Sequence, residues 1–174
     1  MKHKITLGIF ALILTIIVIS GCAQKVEIPS EPTSQFDIYY SSGVGEKNIL
    51  DTKNNRYVKD MVCDPLREYT VQLTESEKTV IYASIVQNDL FNVKDEFTKN
   101  CDWRGCRGMN PLSTITLKIT VDEKTKTIKW SADYINMKKD PEVKRFLNVT
   151  NTIRDIIVDK ENEMNIEKPK CGYL

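Results

Sequence analysis

Histidine is all but missing. The chain holds one, His3, among 174 residues, and that one stands at the very start of the sequence. If His3 is removed with a leader, no imidazole remains and the Ser-His and Cys-His pairs that activate hydroxyl and thiol nucleophiles are excluded. Gly-x-Ser-x-Gly, His-Glu-x-x-His, Gly-x-x-x-x-Gly-Lys and an aspartate-rich calcium loop are absent as well. Excess charge of either sign is lacking too. The 25 Lys and Arg face 24 Asp and Glu, for a net charge of +1, whereas nucleic-acid binding asks for a basic face. No internal repeat or low-complexity block is present.

What is present begins with a leader. Lys2, His3 and Lys4 give a positive start, and Ile5 to Gln24 carries no charge. That is the layout of a secretory signal. It ends in Ile19-Ser20-Gly21-Cys22, which resembles the lipobox of bacterial-type lipoproteins: a large aliphatic residue and two small ones before a cysteine. The resemblance covers only the leader and implies acylation of Cys22, by a diacylglycerol and chains of the palmitate class, with cleavage just before it. More than one acyl chain gives stable anchoring. The alternative is an uncleaved helix, since twenty uncharged residues just span a hydrocarbon core of ~30 Å. Either way residues 25 onward lie outside the cytoplasm, on a cell membrane whose inner or outer identity is open.

Removal of residues 1–21 takes His3, Lys2 and Lys4 with it. It leaves 153 residues, with 23 basic against 24 acidic side chains. That is one domain, long enough to bury a core. The expected division is a signal peptide over 1–21, the lipidated Cys22 with a flexible spacer to 34, and a single domain over 35–174. Pro29 and Pro32 among polar residues suggest the spacer.

Four cysteines follow the anchor: Cys63, Cys101, Cys106 and Cys171. Outside the cytoplasm an even number reads as two disulfides. Cys101 with Cys106 would leave Cys63 to pin the tail through Cys171; a crossed pairing stands beside it. Zinc is disfavoured, because Cys101 and Cys106 do not form a tight Cys-x-x-Cys and no histidine helps. A redox role needs a poised thiolate. Arg104 and Arg107 favour one, but four intervening residues do not. No metal or cofactor is expected.

Phe36 to Tyr40 reads as a strand closed by Ser41-Ser42-Gly43, and Ile49 to Met61 as a hairpin with Asn54-Asn55 at its tip. Leu66 to Leu73 reads as a strand with Tyr69, Val71 and Leu73 on one face. Thr74 with Glu77 makes a capping box, followed by Val80, Ile81, Ile85 and Val86 at helical spacing, with Leu90 and Phe91 packing the exit. Ser113 to Val121 alternates, as does Ile128 to Tyr134, giving a hairpin around the polar stretch Asp122 to Lys126. Asp140-Pro141 opens a second helix, with Val143, Phe146, Leu147, Ile153, Ile156 and Ile157 as its stripe to about residue 160. The expected fold is α+β: an antiparallel sheet of about 4–6 strands with two helices on one face, in strand-strand-helix-strand-strand-helix order. Over residues 36–158 this pattern, with Leu73-Thr74 to Glu77 at the helix start, resembles small domains of unknown function in secreted bacterial lipoproteins. The resemblance implies no activity.

Several residues are candidates for chemistry. Asp37, Asp64, Glu68 and Asp133 interrupt or flank strands, and a glycosidase needs only two carboxylates, yet no spacing singles out a pair. Ser41 to Gly45 lacks the lysine of a phosphate cradle and reads as a turn. The Asn148-Val149-Thr150 sequon falls mid-helix and is treated as coincidence. Asn100 to Asn110 gathers Trp103, Arg104, Arg107 and Met109 beside two glycines, in a segment that a Cys101–Cys106 disulfide would tighten. Trp and Arg are frequent interface anchors, so this is a candidate binding loop; the competing role for Trp103 is a cap on the core. The expectation is a lipid-tethered, non-enzymatic module binding an envelope protein or glycan. An extracytoplasmic enzyme using carboxylates or a Cys101/Cys106 disulfide, and a structural or assembly subunit of the envelope, are the alternatives.

Overall fold

A computed structural model describes residues 25–98, 112–132 and 140–173. The elements run β1 (Phe36–Val44), β2 (Asn48–Asp51), β3 (Arg56–Lys59), β4 (Arg67–Thr70), α1 (Glu75–Gln87), a 3-10 turn at Leu90–Asn92, β5 (Glu96–Phe97), β6 (Ser113–Val121), β7 (Lys124–Ser131) and α2 (Pro141–Glu163). The seven strands form one sheet in the order β4-β3-β2-β1-β6-β7-β5, antiparallel except for the parallel β5–β7 pair. The α+β class stands. The strand number, the wholly antiparallel sheet and the strand-strand-helix order are corrected: four strands precede α1, and three separate it from α2. β5 escaped because two residues have no period to read. Phe97 places it there, fully buried and 6.0 Å from the ring of Phe146 in α2.

Alternation divides the sheet into two faces. Phe36, Ile38 and Tyr40 of β1 stand opposite Val121, Ile119 and Leu117 of β6, and Leu117 opposite Ile128 of β7. All are buried, and they join Ile81, Tyr82 and Ile85 of α1 and Val143, Phe146, Val149 and Ile153 of α2 in one cluster. Tyr82 meets Phe36 edge-on at 4.9 Å. Both helices thus cover this face, as their stripes require. Asp37, Tyr39, Lys118 and Thr120 occupy the other face.

Within α1 the buried residues are Ile81, Tyr82 and Ile85, while Val80 is 51% exposed. Tyr82 replaces the expected Val80 because its ring reaches the core while its hydroxyl donates to the Pro29 carbonyl at 2.8 Å. The capping box is present: Thr74 Oγ1 accepts from the Glu77 N–H and Glu77 accepts from the Thr74 N–H. Asp140 caps α2 by accepting from the Glu142 and Val143 N–H groups.

Three turn boundaries differ from expectation. Ser41 to Gly43 continue β1 to Val44 opposite Ser113, and the chain reverses at Gly45 and Glu46, both at positive φ. The hairpin between β6 and β7 turns on Asp122 and Glu123 alone, with Asp122 at φ 52°. Lys124 to Lys126, read as turn residues for their polarity, are strand residues paired with Ile119 to Val121 of β6. The strand expected over 66–73 is paired only over Arg67–Thr70. Asn55 does take φ 49° at the tip of the β2–β3 hairpin.

Residues 25–29, inside the expected spacer, lie against the domain. Val26 exchanges hydrogen bonds with the Asn92 side chain through both its N–H and its carbonyl, at 2.8 and 3.0 Å. The Glu27 carbonyl accepts from Lys124, and Ile28 packs on the core. Among the described residues no helix is long and apolar enough to cross a membrane.

Candidate functional site

The strand register brings one set of chain segments to a single end of the sheet. Val44 ends β1 opposite Ser113, Asn48 begins β2, Lys59 ends β3, and Ser131 of β7 lies opposite Thr114. Phe97 of the parallel β5 lies opposite Trp130, so β5 also ends there. The β1–β2 turn, the segment after β3 and the C-terminal tail therefore meet at this end.

A disulfide between Cys63 and Cys171 fixes the meeting, with the two Cα atoms 6.0 Å apart and 108 positions of chain between them. It is one of the pairings open in the sequence. Beside it Tyr173 donates its hydroxyl to Asp60, and Lys47 approaches the same hydroxyl at 3.3 Å with its ammonium 5.7 Å from the ring. Tyr173 and Asp60 favour the charged form of Lys47 and raise its pKa. Arg67 and Glu167 add a salt bridge at 3.4 Å on exposed side chains.

Asp60 is buried, and its partners explain how a carboxylate is kept there. Besides accepting from Tyr173 it accepts from the Val62 N–H at 3.0 Å, while its own N–H donates to Asn48 Oδ1 at 3.0 Å. These bonds replace lost hydration. Asn48 Nδ2 in turn donates to the Ser42 carbonyl at 3.4 Å. A Cβ on Gly43 would come within 3.0 Å of that nitrogen, and the φ of 93° there suits glycine alone.

Val62 has φ 64°, and the Cys63 N–H closes back on the Met61 carbonyl at 2.8 Å in a γ-turn. Positive φ in a β-branched residue costs about 1–3 kcal/mol and persists where surrounding structure over-determines it. Here the hydrogen bond that the Val62 N–H donates to Asp60 on one side and the disulfide on the other do so. Together Gly43, Asn48, Asp60, Val62, Ser113 and Tyr173 border a cavity of about 430 Å³, the size of a small-ligand site.

The remaining charges at this end are committed elsewhere. Lys59 is buried with its ammonium 2.5 Å from Glu161 of α2, whose other oxygen accepts from the Tyr57 hydroxyl. Burial first, then the hydrogen bond and the charge of Glu161, push the Tyr57 phenol far above its ordinary range.

Of the candidate carboxylates, Asp37, Asp64 and Glu68 are not brought together. Glu68 pairs with Arg56 at 3.1 Å on the exposed edge. Asp37 accepts from Thr52 Oγ1 at 3.2 Å. It shares a cavity of about 180 Å³ on the uncovered face with Asp51, but Asp51 spends its oxygens on the N–H and Nδ2 of Asn54. Both acids thus stabilise the β2–β3 hairpin. Asp64 is half-buried beside Cys63. Asp133 lies outside the described residues, as do Cys22, Cys101, Cys106, Trp103, Arg104, Arg107 and Met109. Among the described residues no three His, Cys, Asp or Glu side chains converge as a metal site would require.

Asn48, Asp60, Val62 and Tyr173 were not candidates from the sequence. Their one available signal was Cys63 and Cys171, because residues flanking a long-range disulfide are held together. No known protein family matches the chain, and no curated protein matches it in sequence.

Proposed function

We propose that the chain is a lipid-anchored, extracytoplasmic binding module, held through Cys22 and taking a polar envelope ligand of the glycan class at the Asn48–Asp60–Tyr173 cavity. The observation that carries this reading is the Cys63–Cys171 disulfide, which joins the segments that bring Val62 and Tyr173 to that cavity and needs an oxidising compartment to persist. The lining supports a glycan: an amide, a carboxylate balanced by the Lys59 ammonium, two hydroxyls and one aromatic ring, with no surplus of either charge. Asp60 is already ringed by donors and has no second carboxyl beside it among the described residues that line the cavity, so binding suits the site better than acid–base hydrolysis.

Nuclear magnetic resonance with N-acetylglucosamine oligomers at millimolar concentration tests the reading. Saturable shifts centred on Asn48, Asp60, Ser113 and Tyr173, reduced by Asn48→Ala, support it. Shifts confined to another face, or none, overturn the glycan assignment.

A further inference from the structure

We infer that residues 25–29 form a strap that stands the domain upright on the bilayer, with the corner formed by Asn92 and the Asp122–Glu123 turn against the lipid headgroups and the Asn48–Tyr173 cavity turned outward. The inference rests on the proposed lipidation of Cys22.

The strap is fastened along its length by contacts from three elements. The Pro29 carbonyl accepts from Tyr82 in α1, the Glu27 carbonyl from Lys124 in β7, and the Val26 peptide groups pair with Asn92 after α1. The last of these matters most. A primary amide that donates to the carbonyl and accepts from the N–H of the same strap residue fixes the chain's direction as well as its position, as a strand partner would. Lys25 adds an ion pair with Asp89 at 3.7 Å, worth little at such exposure. Ile28 supplies the apolar contact.

Tether length then decides orientation. Cys22 and Val26 are four residues apart, and four residues span at most about 14 Å. A free spacer of a dozen residues would let the domain tumble; a tether this short leaves it close to the headgroups, and the fastened corner is the part that must face them. Val26, an apolar residue 40% exposed at that corner, and the ammonium of Lys25 suit an interfacial position.

The register places the cavity at the far end. Lys124, which holds the strap, follows the turn after Val121, and Val121 lies opposite Phe36 at the start of β1. Gly43, which borders the cavity, is near the finish of the same strand. The nine residues of β1 separate the two ends by roughly 26 Å. The ligand site is therefore carried away from the lipid and presented to whatever lies beyond it.

The test uses the lipidated chain in nanodiscs of phosphatidylethanolamine and phosphatidylglycerol containing a lipid with a nitroxide headgroup. Amide signals of Asn92, Val93 and Glu123 are expected to be lost to paramagnetic broadening while those of Gly45, Lys47 and Gly172 persist. Equal broadening at both ends, or stronger broadening at Gly45, overturns the orientation. The double variant Asn92→Ala, Tyr82→Phe unfastens the strap and keeps Cys22. Loss of the end-to-end difference in that variant supports the strap as its cause, and retention of the difference overturns it. The intact mass of each sample separates the two layers: lipid present with no bias refutes the strap alone, and lipid absent refutes the anchor and the orientation with it.

Discussion

Glu77 Oε1 lies 2.9 Å from Lys160 Nζ, and Glu77 Oε2 accepts from the Thr74 N–H at 2.7 Å. One carboxylate thus closes the cap of α1 and ties α1 to the C-terminal turn of α2. Burial works against its charge, but Lys160 and the hydrogen bonds of Thr74 outweigh it and hold the pKa below the ordinary value. Lys160 is held above its own by Glu77 and then Glu163.

A depressed carboxyl contributes stability that is present above its unfolded-state pKa and lost as pH falls through the folded-state value. Acidification below the ordinary carboxylate range is therefore expected to loosen the α1–α2 pair. Glu77→Gln is expected to cost about 1–2 kcal/mol at neutral pH, the scale of a lost cap, and to flatten the acid limb of a plot of melting temperature against pH. An unchanged acid limb would remove Glu77 from that role.

Reduction of the Cys63–Cys171 bond, or Cys171→Ser, is expected to cost up to about 4–5 kcal/mol in the chain-entropy limit for so long a loop. It should also free the tail. Limited trypsin digestion would then cut after Lys170 in the variant well before cutting the parent, the Lys168–Pro169 bond being resistant, with no other site accelerated to the same degree.

Val62 stores strain that a smaller residue does not. Val62→Gly relieves about 1–3 kcal/mol and loses about 0.4–1 kcal/mol through the unfolded chain. The expected net change is a stabilisation of roughly 1 kcal/mol in urea unfolding. A clear destabilisation would mean that the side chain packs more than it strains.

Phe146, with no exposed surface and Phe97 against it, predicts a loss of about 3–5 kcal/mol on Phe146→Ala. Val80→Ala, at a half-exposed position expected from the sequence to lie in the core, should stay within about 0.5 kcal/mol. Denaturant midpoints for the pair would separate the observed helix face from the one suggested by periodicity alone.

Periodic signals carried most of the fold. The β6–β7 hairpin, the capping box at Thr74 and the Asp140-Pro141 start of α2 were legible because each depends on neighbours within a few residues. β5 was not, since its pairing rests on the single buried ring of Phe97. Turn ends were misjudged wherever polarity stood in for geometry, as at Lys124 and Lys126, which lie opposite Val121 and Ile119 and donate their ammonium groups to the Glu27 and Val93 carbonyls. The cavity was illegible for another reason: Tyr173 is 113 positions from Asp60 in sequence, and Cys63 and Cys171 were the one signal that their segments meet.

The most direct measurement is the intact mass of the purified protein with and without a reducing agent. The account predicts a chain lacking residues 1–21, carrying a diacylglycerol-type addition, and gaining hydrogens on reduction, with Cys63 and Cys171 linked in the unreduced peptide map. An unprocessed chain with Cys63 and Cys171 as free thiols would contradict it, removing both the anchor and the oxidised compartment on which the binding role rests.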